Sequence, residues 1–137
     1  MGSRRKSRVL ALQALYSWDF NKNPVEELIN FSWLDQERRS SYDEQTLNFA
    51  ALLVRGTLEE IETIDLSIKN QLEHWDFSRL AKVDLAILRV SIYSLIYQKD
   101  IPHTVTIDEA IDLAKMYGND DSYRFVNGVL DGLRKRL

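Results

Sequence analysis

An all-α bundle of about seven helices is the fold class this 137-residue sequence predicts, on three observations. Apolar residues recur at steps of three and four through most of the chain, no segment alternates with period two long enough for a strand, and only five Gly and two Pro interrupt it. One globular domain accounts for the length, since a chain 45% hydrophobic can fill a single core but leaves no room for a second, catalytic domain. No internal repeat is visible.

The elements follow in order. From Arg4 to Phe20, Val9, Leu12 and Tyr16 form one stripe while Ala11, Leu15 and Trp18 fill the next, so this helix is expected to be buried among others. Asn21 to Pro24 reads as a turn, and Pro24 suits the first position of a short helix over Val25 to Leu34. Ser41 with Glu44 has the pattern of a capping box. Leu47, Ala51, Val54, Leu58, Ile61, Asp65, Ile68 and Leu72 then make a packing seam, with Gly56 as the break between two helices. Trp75 to Ser78 reads as a linker, Ser78 capping a helix from Arg79 to about Lys99 with Leu80, Val83, Ile87, Val90 and Ile92 on a wide apolar surface.

Asp100 to His103, with Pro102, ends that helix. Thr106 with Glu109 gives a second capping-box pattern, after which Ile107, Ala110, Ile111, Ala114 and Tyr117 keep helical spacing up to a terminal Gly118. Asn119 or Asp120 is expected to cap the last helix, whose inner face is Val126, Val129, Leu130, Leu133 and Leu137.

Several function classes drop out on residue types alone. Without cysteine there is no disulfide framework, thiolate zinc site or thiol nucleophile, and a reducing cytoplasm is the expected home. The apolar run Val9 to Leu12 stops at Gln13, shorter than the roughly 7 to 15 residues of a signal core, and Lys6 stands where myristoylation wants Ser or Thr. Lys82, Asp84 and Arg89 interrupt Leu80 to Tyr97, so no membrane span is expected. His74 and His103 lack metal-type partners, and the glycines are too scattered to cradle a phosphate. Asp108, Glu109 and Asp112 read as acids favoured by a helix dipole rather than as a cation site. Gly128 and Gly132 share a helix face and read as a close approach of a neighbouring helix. No enzyme, cofactor, metal or small-molecule substrate is expected.

Charge is distributed unevenly. Arg4, Arg5, Lys6 and Arg8 lead the chain and Arg134, Lys135 and Arg136 close it; without those seven, 11 basic residues face 21 acidic ones, a body of −10 with basic ends. That asymmetry points to an anionic partner docking at a defined place. Cations at a helix N-terminus oppose the macrodipole by about 0.3 to 1 kcal/mol each, so something other than helix stability should favour them. Guanidinium forks suit phosphates, and Tyr16 on the same helix offers a platform for an unpaired base.

The residues also carry a resemblance. Arg4 to Arg8 followed by Ala11-Leu12-Gln13-Ala14-Leu15-Tyr16-Ser17-Trp18 resembles the opening of the bacterial transcription antitermination NusB family. Val83 to Arg89 is similar to that family's central helix, Ile101-Pro102-His103 to its linker, Ile107 to Lys115 to the helix after it, and Asp121 to Asp131 to its closing signature. The similarity is strongest over residues 4–18 and 79–131 and weakest over 21–75.

The resemblance implies one domain of two roughly perpendicular helical subdomains, about 4–73 and 79–136. It implies binding of single-stranded boxA RNA of ribosomal transcripts together with NusE, a small-subunit ribosomal protein, in a complex with NusA, NusG and RNA polymerase. Its RNA-binding residues fall on Arg4, Arg5, Lys6, Arg8, Tyr16, Asp121 and Phe125, with Lys115 and Arg124 as further phosphate contacts near the Gly118 to Asp121 turn. Tyr16 and Phe125 either border bases or pack in the core. Asp84 is either a polar anchor within the bundle or part of the NusE-binding surface. Val9 and Ser94 stand where relatives often carry Glu. The alternative is a helical protein-protein adaptor or homodimer without direct RNA binding, which the acidic body would suit; an RNA-modifying enzyme using this module for targeting is disfavoured.

Overall fold

Helix α1, Ser3–Asn21, opens the computed structural model, which describes residues 3–74 and 76–137. Apolar residues around most of its circumference bury Val9, Leu10, Ala11, Leu12, Ala14 and Leu15, as their spacing predicts. Seven more α-helices follow among the described residues, which contain no strand: α2 Val25–Ile29, α3 Gln36–Ser40, α4 Glu44–Glu59, α5 Ile61–Gln71, α6 Lys82–Tyr97, α7 His103–Tyr117 and α8 Ser122–Arg134. A single 3-10 turn, Phe77–Arg79, precedes α6.

The most apolar of these helices, α6, lies at the centre and packs against α1, α4, α5, α7 and α8. Its side chains from Leu85 to Ile92 are buried without interruption and join Leu15, Leu53, Ile64, Ile68, Leu113 and Leu130 in one core that draws on both halves of the chain. A smaller cluster of Leu10, Phe31, Leu34, Leu47 and Ala50 sits beside it.

The boundaries depart from the sequence expectation where local hydrogen bonding or packing decides. Val25 to Leu34 is not one helix: α2 ends at Ile29, because burying Phe31 at 2% exposure turns the backbone to a positive φ of 55°. Asp35 then caps the unforeseen α3, its carboxylate accepting from the Arg38 N–H at 2.8 Å. Pro24 is the residue before α2 rather than its first residue. Ser41 does not cap α4; it closes α3, and Asp43 accepts from the Thr46 N–H at 2.7 Å instead. Likewise Asp76, not Ser78, caps the 3-10 turn, and α6 begins three residues later than expected at Lys82. Trp75, at the head of the expected linker, lies outside the described residues.

Pro102 starts α7 early, at His103, so Thr106 and Glu109 are interior positions and form no capping box. Before α8, the Asn119 side chain accepts from the Asp121 N–H at 2.9 Å, and the helix starts at Ser122. Of its expected inner face Leu137 alone is exposed. Gly56 does not break the seam, and α4 runs through it to Glu59. Its missing side chain leaves room for the Tyr93 ring, which any Cβ would strike.

Gly128 corrects a second glycine reading. Gly132 does face a neighbour, the Gln71 side chain, but a Cβ on Gly128 would enter open space. With no packing constraint, Gly128→Ala should stabilise the fold by about 0.5 to 1 kcal/mol through helix propensity alone. The midpoint of urea unfolding checks this, and an unchanged or lower midpoint would contradict it.

A buried charge network ties α1, α5 and α6 together. Arg89 on α6 donates from Nε and Nη2 to the two Asp65 oxygens, each at 2.9 Å, and from Nη1 to Asp19 Oδ1 at 3.1 Å. Lys82 Nζ lies 3.2 Å from the other Asp19 oxygen as an ion pair. Burial alone would raise Asp19, yet Arg89 and Lys82 outweigh it and hold the carboxyl below the usual range. Arg89 is likewise shifted up, its two carboxylates outweighing the effect of burial.

Candidate nucleic-acid interface

The four cations that open α1 are not equivalent. Spacing along a helix sends Arg4 toward α4, Arg5 and Arg8 toward α7, and leaves Lys6 facing solvent. Arg4 is exposed and lies over the Phe49 ring, its guanidinium carbon 3.8 Å from the centroid. Lys6, also exposed, adds to the Thr46 hydrogen bonds that hold the Asp43 carboxyl below its ordinary range.

Arg5 forks onto α7. Its Nε donates to Glu109 Oε2 at 3.0 Å, while Nη2 donates to Glu109 Oε1 at 3.1 Å and to Asp112 Oδ2. These bonds raise the Arg5 pKa above the ordinary arginine value. Arg8 is 8% exposed, with Nη1 4.0 Å from Glu109, and burial pulls its pKa down. The acids Glu109 and Asp112 therefore answer the cations of α1 rather than a helix dipole. Part of the unexplained positive charge is thus satisfied inside the chain, and Arg4 and Lys6 are the cations most open to an outside anion.

A second group of the expected residues meets at a groove of about 790 Å³ between the approach to α6 and the start of α8. Phe125, Arg124 and Asp121 line one side; Arg79 and Asp84 line the other. Phe125 is half-buried, while Arg124 is exposed and pairs with Asp121 at 3.4 Å. Asp84 is 6% exposed, and its Oδ1 has no hydrogen-bond partner among the described residues.

Tyr16 is 39% exposed and meets Phe20 edge-on at 5.0 Å, so it is a surface aromatic rather than a core one. Exposed Lys115 lies 5.1 Å from the Tyr123 ring, the ring that Arg124 also approaches at 5.1 Å. Two helices connect the clusters. From Asp112, which holds Arg5, to the end of α7 at Tyr117 is five residues, about 7.5 Å at the rise of a helix, and Asn119 at the groove follows two residues later. At the other end of α1, Asp19 pairs with Lys82, two residues before Asp84.

Phe49, Phe20 and Arg79 are site residues that sequence reasoning missed. An aromatic off the packing seam of α4 was the available signal for Phe49. Val9 is buried at 8%, and Ser94 is buried with its hydroxyl 2.6 Å from Gln98 Oε1, so neither departure from the family pattern disturbs the exposed cations. Among the described residues no cluster of three or more His, Asp or Glu could hold a metal ion, and no helix is long and apolar enough to cross a membrane.

Fold and site together define a small all-helical binding protein that presents a basic helix tip and an aromatic-edged groove. The chain belongs to the NusB family, whose sequence model matches residues 5–135. It is 52% identical over 132 residues to the transcription antitermination protein NusB of Treponema pallidum, covering 96% of this chain and 92% of that protein. Its fold superposes on NusB of T. maritima with a TM-score of 0.86 at 39% identity, over 96% of this chain and 90% of the other. It also matches, with a TM-score of 0.87 at 28% identity and 98% coverage of both chains, a crystal structure of antitermination factors NusB and NusE in complex with dsRNA. The family is one of antitermination factors, not enzymes.

Proposed function

We infer that this chain binds single-stranded boxA RNA of ribosomal transcripts together with NusE, and acts with NusA, NusG and RNA polymerase in the cytoplasm. The observation that carries the reading is the groove itself, which sets the Phe125 ring beside Arg79 and Arg124 at the end of the helix that holds Arg5. An aromatic face takes a base and guanidiniums take the flanking phosphates, a combination suited to an unpaired strand.

Arg4 and Lys6 engage phosphates directly, and Arg5 does so once drawn from α7. Arg8, buried, supports the tip from beneath. Tyr16 borders a base along α1, Lys115 and Arg124 hold phosphates near the groove, and Asp121 orients Arg124. Asp84, otherwise buried, meets NusE where it lines the groove. The solved relative bound to NusE and RNA supports this assignment of partners.

Fluorescence anisotropy of labelled boxA RNA, with a scrambled strand and with added NusE, tests it. BoxA should bind more tightly than the scrambled strand, and more tightly again with NusE. Six phosphate contacts, from Arg4, Arg5, Lys6, Arg79, Lys115 and Arg124, should give a slope of roughly −4 in log affinity against log salt. Equal affinity for both strands, or no binding with NusE present, would favour the protein adaptor instead.

A further inference from the structure

Glu109 and Asp112 grip Arg5 as an RNA phosphate would. Two carboxylates occupy its Nε and Nη2 donors in the forked arrangement that guanidinium makes with oxyanions. We propose that this acidic pair on α7 is a competitive latch on the basic tip: in the free protein it holds Arg5, and a polyanionic strand must displace it to bind fully. The inference rests on the RNA reading above.

Three observations support a latch over a purely structural clasp. First, the clasp lies where a strand can reach it, the Arg5 side chain being 29% exposed and those of Glu109 and Asp112 20% and 45%. Second, α1 and α7 both pack on α6, and buried Arg8, 4.0 Å from Glu109, stays between them, so releasing Arg5 leaves that packing in place. Third, Arg4 and Lys6 flank Arg5 in sequence and have no ion-pair carboxylate among the described residues. A strand can therefore settle on those two cations before it contests the third.

The order of events gives selectivity. A lone phosphate would have to outcompete two carboxylates already in place on one guanidinium. A strand brings phosphates joined in succession, and once the first are seated the next is delivered to Arg5 at high effective concentration. The latch thus favours an extended polyanion over free phosphate or a mononucleotide.

Asp112→Asn and the double variant Glu109→Gln/Asp112→Asn, which keep side-chain shape and remove charge, test the proposal by RNA anisotropy at fixed salt. The single variant should bind about threefold and the double about tenfold more tightly than the parent chain, as expected for weakening a partly exposed ion pair. Inorganic phosphate alone, titrated without RNA, should also bind the double variant more tightly than the parent. Unchanged or weaker binding by variants with native helical circular dichroism would overturn the latch, because it would make the acids structural or positioning groups. If the double variant fails to fold, Asp112→Asn decides alone, since the Asp112 side chain is 45% exposed and Arg5 is its ion-pair partner among the described residues. No RNA binding by the parent chain, with or without NusE, would overturn the RNA reading and the latch with it.

Discussion

Arg89→Met should destabilise the fold by about 3 to 5 kcal/mol, the range found when one partner of a buried ion pair is removed. The side chain of Arg89 is 5% exposed and joins Asp19 on α1 to Asp65 on α5, with side-chain exposures of 8% and 20%. Methionine fills much of the same space, so the loss reports two carboxylates left facing each other, with Lys82 and Lys22 answering Asp19 alone. Adding Asp65→Asn to that background should recover part of the loss, because the remaining repulsion goes with it. Urea unfolding of the two variants checks both statements, and a loss below about 1 kcal/mol would show that the network is nearly neutral on balance.

The same network sets the response to acid. Asp19 has a folded pKa below its unfolded value of about 3.9, so its contribution is complete above that value and is lost as pH falls through the folded one. Stability should therefore drop below about pH 4, and Arg89→Met should flatten that drop.

Phe125→Ala should weaken boxA binding by about 1 to 3 kcal/mol, the worth of stacking one base on an aromatic ring. Its diagnostic feature is the salt dependence. Stacking releases no counterion, so affinity should fall while the slope against log salt stays the same. A changed slope with little change in affinity would mean that the ring only positions Arg124, one residue away in sequence and on the same groove wall. Unfolding of the variant separates a packing loss from a binding loss, since Phe125 also packs against the main core.

The helices were legible because burial imposes a 3.6-residue period, and α6 showed a wide apolar surface, while its central place emerged only from the fold, where even Asp84 and Arg89 are buried. Helix ends were less legible, since several residues competed to cap each one. Asp43 displaced Ser41 and Asp76 displaced Ser78, a nearby carboxylate accepting the N–H bond in each case. Phe31 was opaque for another reason: its buried place in the smaller cluster forces a left-handed backbone that nothing local favours. At the site, the basic tip could be read from charge alone. Its partners could not, because Arg5 and Glu109 stand 104 residues apart and only the fold brings them together. The acidic body hinted that internal acids were available, and Glu109 with Asp112, one turn apart on α7, are the pair that the fold selects.

The salt dependence of boxA affinity in the Arg4→Ala/Arg5→Ala/Lys6→Ala variant tests most directly whether the tip of α1 grips a phosphate chain. Loss of three of the six contacts should bring the slope from roughly −4 to roughly −2 while helicity is preserved. A variant that keeps both the parent affinity and the parent slope, with and without NusE, would place the RNA elsewhere on the molecule.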